Sequence, residues 1–203
     1  IDNAILQIDD NNGGTIVGIL AGNNTIINVL NCQINATSKR GYNVCGLYGA
    51  GTGEATITNC KIVANADHTA NEAGNNYATM SRAIHYAGTL YVNNCYVYGT
   101  HSGITPTGDI TIKGGLYEGY SHGGVYVVSG VNGITTTARF YDAILRECPL
   151  TEGYIDDGVA GTNLAGMYIG GTNNTTIYID NCNLSAKAQV IVMKNDKNNT
   201  LYI

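Results

Sequence analysis

Residues 56–62 read TITNCKI. The same phrase returns as VLNCQI at 29–34, VNNCYV at 92–97 and IDNCNL at 179–184. Two degenerate copies fill the gaps, Gly114-Gly115 in ITIKGGLY and Glu147-Cys148 in AILRECPL. Small or apolar residues stand two and four places before each anchor, as with Ala55 and Ile57, Leu90 and Val92, Ile110 and Ile112, and Ile177 and Ile179. Two places after the Cys position come Ile34, Ile62, Val97, Tyr117, Leu150 and Leu184. A period of two on both sides of a fixed pair means one strand running in, a sharp bend at Asn, and a second strand running out. Asn suits the bend because it tolerates the left-handed backbone region, and Gly114 meets the same need. The Cys starts the outgoing strand as a small inward filler.

A third strand follows each copy after a variable gap: VCGLYG, SRAIHY, SGITPT, GGVYVV, AGMYIG and QVIVMK. AILQID with GTIVGIL at the start, and TLYI at the end, are partial copies. Fixed strands with a variable gap, in repeats of about 20 residues and upward, mark a solenoid. The strands are rich in Val, Ile, Thr and Tyr and no sustained helical period separates them, which selects an all-β, right-handed, single-stranded parallel β-helix of about seven coils. Like positions then stack above like positions, and Asn side chains can form a ladder from coil to coil.

The bulk composition agrees. The chain has 203 residues, 44% hydrophobic and only 12% charged, with 27 Gly, 2 Pro and no Trp. That length suffices for a single domain with a real core, here residues 1–203. A net charge of −5 argues against a nucleic-acid partner. No apolar run is long enough for a membrane span. The six cysteines contain no C-x-x-C pair, and stacked cysteines point the same way, so free core thiols are expected rather than a metal site or disulfides. No metal and no cofactor are expected. Neither end carries an amphipathic capping helix. The expectation is an internal segment of a longer chain, with the open ends covered by flanking domains or by a homotrimer.

The organisation resembles the right-handed parallel β-helix superfamily that includes pectate lyases, polygalacturonases and phage tailspikes, and the resemblance covers essentially the whole chain. It implies the fold, and function on an outward face bounded by long loops. Alternation in the third strand puts Leu47, Ile84, Ile104, Val125 and Met167 inward and Tyr48, His85, Thr105, Tyr126 and Tyr168 outward in one row. The loops at 64–80 and 151–163 are long and those near 98–102 and 118–122 short, which outlines a cleft. Its floor carries the row from His85 to Tyr168. Its edges carry Arg82, His101, Glu118 and His122, and its walls Asp67, His68, Glu72, Asp156 and Asp157. A polar, Tyr-lined concavity suits a polysaccharide or cell-surface glycan.

Tyr48, Arg82, His85, Thr105, Tyr126 and Tyr168 are therefore the candidate carbohydrate-binding residues, and Glu118, His122, Asp156 and Asp157 the candidate catalytic ones. Glycoside hydrolysis needs two suitably spaced carboxyl groups, and the floor of this face has none. The Gly-His-Gly segment of polygalacturonases has its nearest counterpart in Ser121-His122-Gly123, without the strand-borne Asp set. The acidic calcium site of pectate lyases has no counterpart beside Arg82. Three readings stay open. One is a carbohydrate-contacting module of a phage tail or microbial surface protein, extracellular or virion-associated. The second is a polysaccharide lyase or glycoside hydrolase acting between the two long loops, and the third a structural spacer.

Overall fold

The computed structural model describes residues 1–10, 15–38, 44–66, 81–120, 122–129, 135–147, 165–171, 174–187, 189–193 and 198–203. The strands in chain order begin with β1 (Ile5–Asp10), β2 (Ile16–Ala21), β3 (Ile26–Leu30), β4 (Gln33–Ser38), β5 (Val44–Gly49), β6 (Glu54–Thr58) and β7 (Lys61–Ala66). Next come β8 (Arg82–Tyr86), β9 (Thr89–Asn93), β10 (Tyr96–Gly99), β11 (Ser102–Pro106), β12 (Ile110–Lys113), β13 (Leu116–Gly119) and β14 (Val125–Ser129). The last are β15 (Thr136–Tyr141), β16 (Ile144–Glu147), β17 (Ala165–Gly171), β18 (Thr175–Asp180), β19 (Asn183–Ser185), β20 (Gln189–Met193) and β21 (Asn199–Tyr202). No helix occurs among the described residues.

Every third strand pairs in parallel. Sheet I holds the seven strands that enter the Asn bend, β3 through β21; sheet II the seven that leave it, β1 through β19; sheet III the seven that complete the coil, β2 through β20. Three seven-stranded parallel sheets fit a right-handed parallel β-helix of about seven coils. The core is the inside of the coil. Ile34, Ile62, Val97, Tyr117 and Leu145 stack from sheet II, and Leu47, Ile84, Ile104, Val125 and Met167 from sheet III, all fully buried. Each such side chain contributes roughly 1.5–3 kcal/mol through burial.

The bend is left-handed in every coil that shows it: φ is 52° at Asn31, 53° at Asn59, 50° at Asn94 and Asn181, and 63° at Gly114. The copy expected at Glu147-Cys148 is misplaced. The bend of that coil is Asp142-Ala143, with φ 53° at Asp142. Glu147 lies inside β16 opposite Gly119, and the inward residue after the bend is Leu145. Leu150 and Cys148 are outside the described residues.

The corner explains the substitution. Asn31 Nδ2 donates to Asp2 Oδ1 (3.3 Å), Asn59 Nδ2 to Asn31 Oδ1 (3.4 Å) and Asn181 Nδ2 to Asp142 Oδ1 (2.6 Å). Each amide donates toward the preceding coil. Gly114 interrupts the column, so the next rung has no side-chain acceptor below it and needs only to accept from above. An aspartate, which has acceptors but no donor when ionised, serves there.

Beside the amides runs a column of thiols. The Cys32 N–H donates to Cys60 Sγ and the Cys60 N–H to Cys95 Sγ, both at 3.3 Å, while the thiols donate to the carbonyls of Leu30, Thr58 and Asn93 at 3.1, 3.2 and 3.2 Å. The Ala143 N–H likewise reaches Cys182 Sγ. The Cys position thus satisfies a backbone donor that the bend turns away from the ladder. Cys32, Cys45, Cys60, Cys95 and Cys182 are all free thiols. Gly115 has no thiol to offer, and the hydroxyl of fully buried Tyr117 takes over: it accepts the Cys95 N–H and donates to the Gly114 carbonyl at 3.0 Å. Tyr117→Phe strands both partners, and a loss of about 1–3 kcal/mol in urea denaturation is expected. An unchanged midpoint would show that the hydroxyl is not this bridge.

Candidate functional site

Sheet III builds the candidate site, and its strands depart from strict alternation. Ala83 and Ile84 are successive residues that both pack in the core. At Gly46 the missing side chain would point inward at Ile62, while the next residue, Leu47, is also buried. Two inward positions in a row bring residues i and i+3 out on the same side. Arg82 Nη1 lies 3.2 Å from His85 Nδ1, and Ser102 Oγ lies 2.7 Å from Thr105 Oγ1. The outward surface therefore carries two stacked rows. The expected row is present in register, Tyr48, His85, Thr105, Tyr126 and Tyr168. A second row, Cys45, Arg82 and Ser102, lies beside it.

The rings along this face pack into a pair and a group of four. Tyr48 and His85 meet edge to face with centroids 5.1 Å apart. His101 and His122 stack at 4.2 Å, and both lie against Tyr126, at 5.6 and 4.8 Å. Tyr168 closes the group, 4.8 Å from His122 and 5.1 Å from Tyr126. The floor is not open along its whole length. Thr105 is 1% and Tyr168 6% exposed, and His101 is 3% exposed. Thr105 is tied down by Ser102, and Tyr168 by the rings around it. Tyr48, His85 and Tyr126 are only half-buried and keep the accessible part of the row.

Glu118 is elsewhere. It sits on the outer face of sheet II, buried, with its Oε1 accepting from Arg146 Nε at 2.6 Å. Asp67, His68, Glu72, Asp156 and Asp157 lie outside the described residues. Of the expected catalytic set, only His122 is seen within the cluster.

The electrostatics follow from burial. His85 is pulled down to about 4, first by desolvation and then by the Arg82 guanidinium. Burial likewise holds His101 well below the usual histidine range, with His122, Arg82 and His85 adding to the effect. Both imidazoles are neutral near pH 7, each with one donor and one acceptor nitrogen. Burial also lowers Arg82, which still keeps its charge because a guanidinium is not deprotonated in proteins, and it raises Tyr126 and Tyr168, so the phenols keep their protons. Arg82 Nε is buried without a hydrogen-bond partner, and Arg82 has no ion pair among the described residues. Cys45 on the same face is pushed up to about 11 by burial, which makes it a poor nucleophile.

No family model, curated protein or solved structure matches this chain. Among the described residues, no group of three His, Cys, Asp or Glu is placed to hold a metal, and no helix is long and apolar enough to cross a membrane.

The row itself was legible by counting in twos. Cys45 and Ser102 were not, because only the local break in alternation turns them outward. Their registry with Arg82 is the signal that would have found them.

Proposed function

We propose that this β-helix binds a saccharide over the accessible part of the sheet III row, and that Arg82 anchors an anionic substituent of it. The observation that carries this reading is Arg82: a desolvated guanidinium with an unused Nε and a neutral histidine as its side-chain neighbour. A desolvated cation with no counter-charge among the described residues is costly, and a ligand carboxylate or sulfate would offset that cost with a charge-assisted hydrogen bond. The surroundings suit the rest of a sugar. Neutral imidazoles and phenols both donate and accept, as hydroxyl groups require, and Tyr48 and Tyr126 supply apolar ring surface. The setting we propose is that of a glycan-contacting module on a phage tail or microbial surface, within the pectin-lyase-like β-helices. Glu118, committed to Arg146, favours binding over glycoside hydrolysis.

Titration calorimetry with oligouronates, sulfated oligosaccharides and neutral oligosaccharides tests this. Acidic ligands should bind, and Arg82→Gln should weaken them tenfold or more, about 1.4 kcal/mol. Tyr126→Ala should weaken them as well, and circular dichroism establishes that both variants fold. A panel that binds nothing, or binding indifferent to both substitutions, would sink the proposal. Unsaturated products or new reducing ends during the incubation would instead favour the enzymatic alternative.

A further inference from the structure

Sheet I presents its own outer face, on a different side of the coil. Two outward columns run along it. One is Thr56, Tyr91, Thr111, Arg139, Tyr178 and Tyr202 in register; beside it run Thr58, Asn93, Lys113, Tyr141 and Asp180. The coil built on β12 is the thin one. It offers Thr111 where its neighbours offer Tyr91 and Arg139, and Gly114 at the bend where they offer Asn94 and Asp142. The small Thr111 side chain leaves the larger outward groups on the flanking strands about 9.6 Å apart, twice the interstrand spacing. On the side toward β15 an open recess of about 420 Å³ is lined by Thr111, Lys113, Arg139, Tyr141 and Asp142.

The chemistry of the recess is mixed in a specific way. Lys113 and Arg139 are diagonal neighbours, and neither has an ion pair among the described residues. The Arg139 guanidinium lies over the Tyr178 ring, its Cζ 5.4 Å from the centroid, and Tyr178 in turn stacks on Tyr202 at 4.8 Å and 6°. A guanidinium held by a ring in a cation–π contact spends none of its N–H donors on that contact and can offer them to an oxyanion. Asp142 already accepts from Asn181 with one oxygen and adds an acceptor at the margin. Cations beside a carboxylate fit poorly with a polyanion such as nucleic acid, or with a bare phosphate. They fit a ligand that carries one negative group together with hydroxyls that can donate to Asp142.

We infer that the Thr111 recess binds a singly charged acidic sugar, with Lys113 and Arg139 on its carboxylate or sulfate, Asp142 on a hydroxyl, and Tyr141 along the ring. This site is independent of the sheet III reading and shares no residue with it.

The test is carried out in an Arg82→Gln background, so that sheet III does not contribute. Binding of glucuronate, a sulfated hexose, glucose and inorganic sulfate is followed by titration and NMR line shifts. Either acidic sugar should bind, and the comparison between them separates carboxylate from sulfate. Glucose should not bind detectably, and inorganic sulfate should be at least tenfold weaker. Arg139→Gln should weaken the acidic sugar tenfold or more, and Thr111→Tyr, which extends the tyrosine column into the gap, should abolish binding in a protein that still folds. Retained binding in Thr111→Tyr, no binding of either acidic sugar, or inorganic sulfate binding as well as the sugar would each overturn the inference. With Arg82 intact, Arg139→Gln should leave the acidic-oligosaccharide binding of sheet III unchanged; a loss there as well would overturn the independence of the two faces.

Discussion

Gly103→Val is expected to lower stability by about 3 kcal/mol or more, near the upper end for overpacked cores. The side chain has nowhere to go. A Cβ at Gly103 would sit 2.6 Å from the Gly124 carbonyl oxygen, 2.8 Å from that of Glu118 and 3.3 Å from the Glu118 nitrogen. All three are backbone atoms of the ladder, so no rotamer change relieves the clash, and the coils must separate locally. Separation breaks pairing across β11 and β14, whose bonds include the Gly103 N–H to Gly123 and the Ile104 N–H to Gly124. Ala83, at the same inward step one coil earlier, carries only a methyl, and Gly46, Gly124 and Gly166 at the matching positions carry none. Urea denaturation of Gly103→Val beside Ala83→Gly measures the difference. A valine variant within about 1 kcal/mol of the parent would mean that the coils yield more easily than a packed interior should.

The second large effect is with acid. His85 has a folded-state value of about 4, against 6.5 in the unfolded chain. Between those values the unfolded chain holds a proton that the folded one does not, so protons favour unfolding. The neutral histidine costs nothing above about pH 7. Stability then falls as pH drops through 6.5, by about 2 kcal/mol at pH 5 and about 3 kcal/mol near pH 4 from His85 alone. His101, also depressed, adds to the slope. Most carboxylates remain ionised down to about pH 5, so the interval from pH 7 to 5 isolates the imidazoles. Denaturation midpoints measured across it should decline in the parent and decline less in His85→Gln. Equal slopes would remove His85 from the account.

Most of the solenoid could be read from the chain because each coil repeats the same local demand. A left-handed corner selects Asn or Gly, a buried N–H at that corner selects a thiol, and period-two apolar positions fill the lumen. The reading failed where one demand was met by a different residue. Asp142-Ala143 shares no letter with Asn-Cys, although it turns the chain at the same place. Its fitness depends on Gly114 one coil away, a through-space relation that a linear scan does not see. The same is true of Tyr117, which stands in for a thiol two residues past the position that Gly115 occupies. At the candidate site the row from Tyr48 to Tyr168 followed from alternation. The pairing of Arg82 with His85 did not, because it needs two successive inward residues. Burial of Tyr168 depends on His122 and Tyr126, which are far away in sequence.

The one-way amide column has a consequence for inheritance. Since the amides of Asn31, Asn59 and Asn181 all donate to the preceding rung, such a coil carries half of its corner bond and meets a neighbour that carries the other half. Stretches cut from bend to bend are therefore interchangeable parts, and such a gene can lengthen or shorten by whole turns without a compensating change. The coil of Gly114 is the exception. It travels only in company with Tyr117 and Asp142, and a lineage that duplicated it would have to copy all three together.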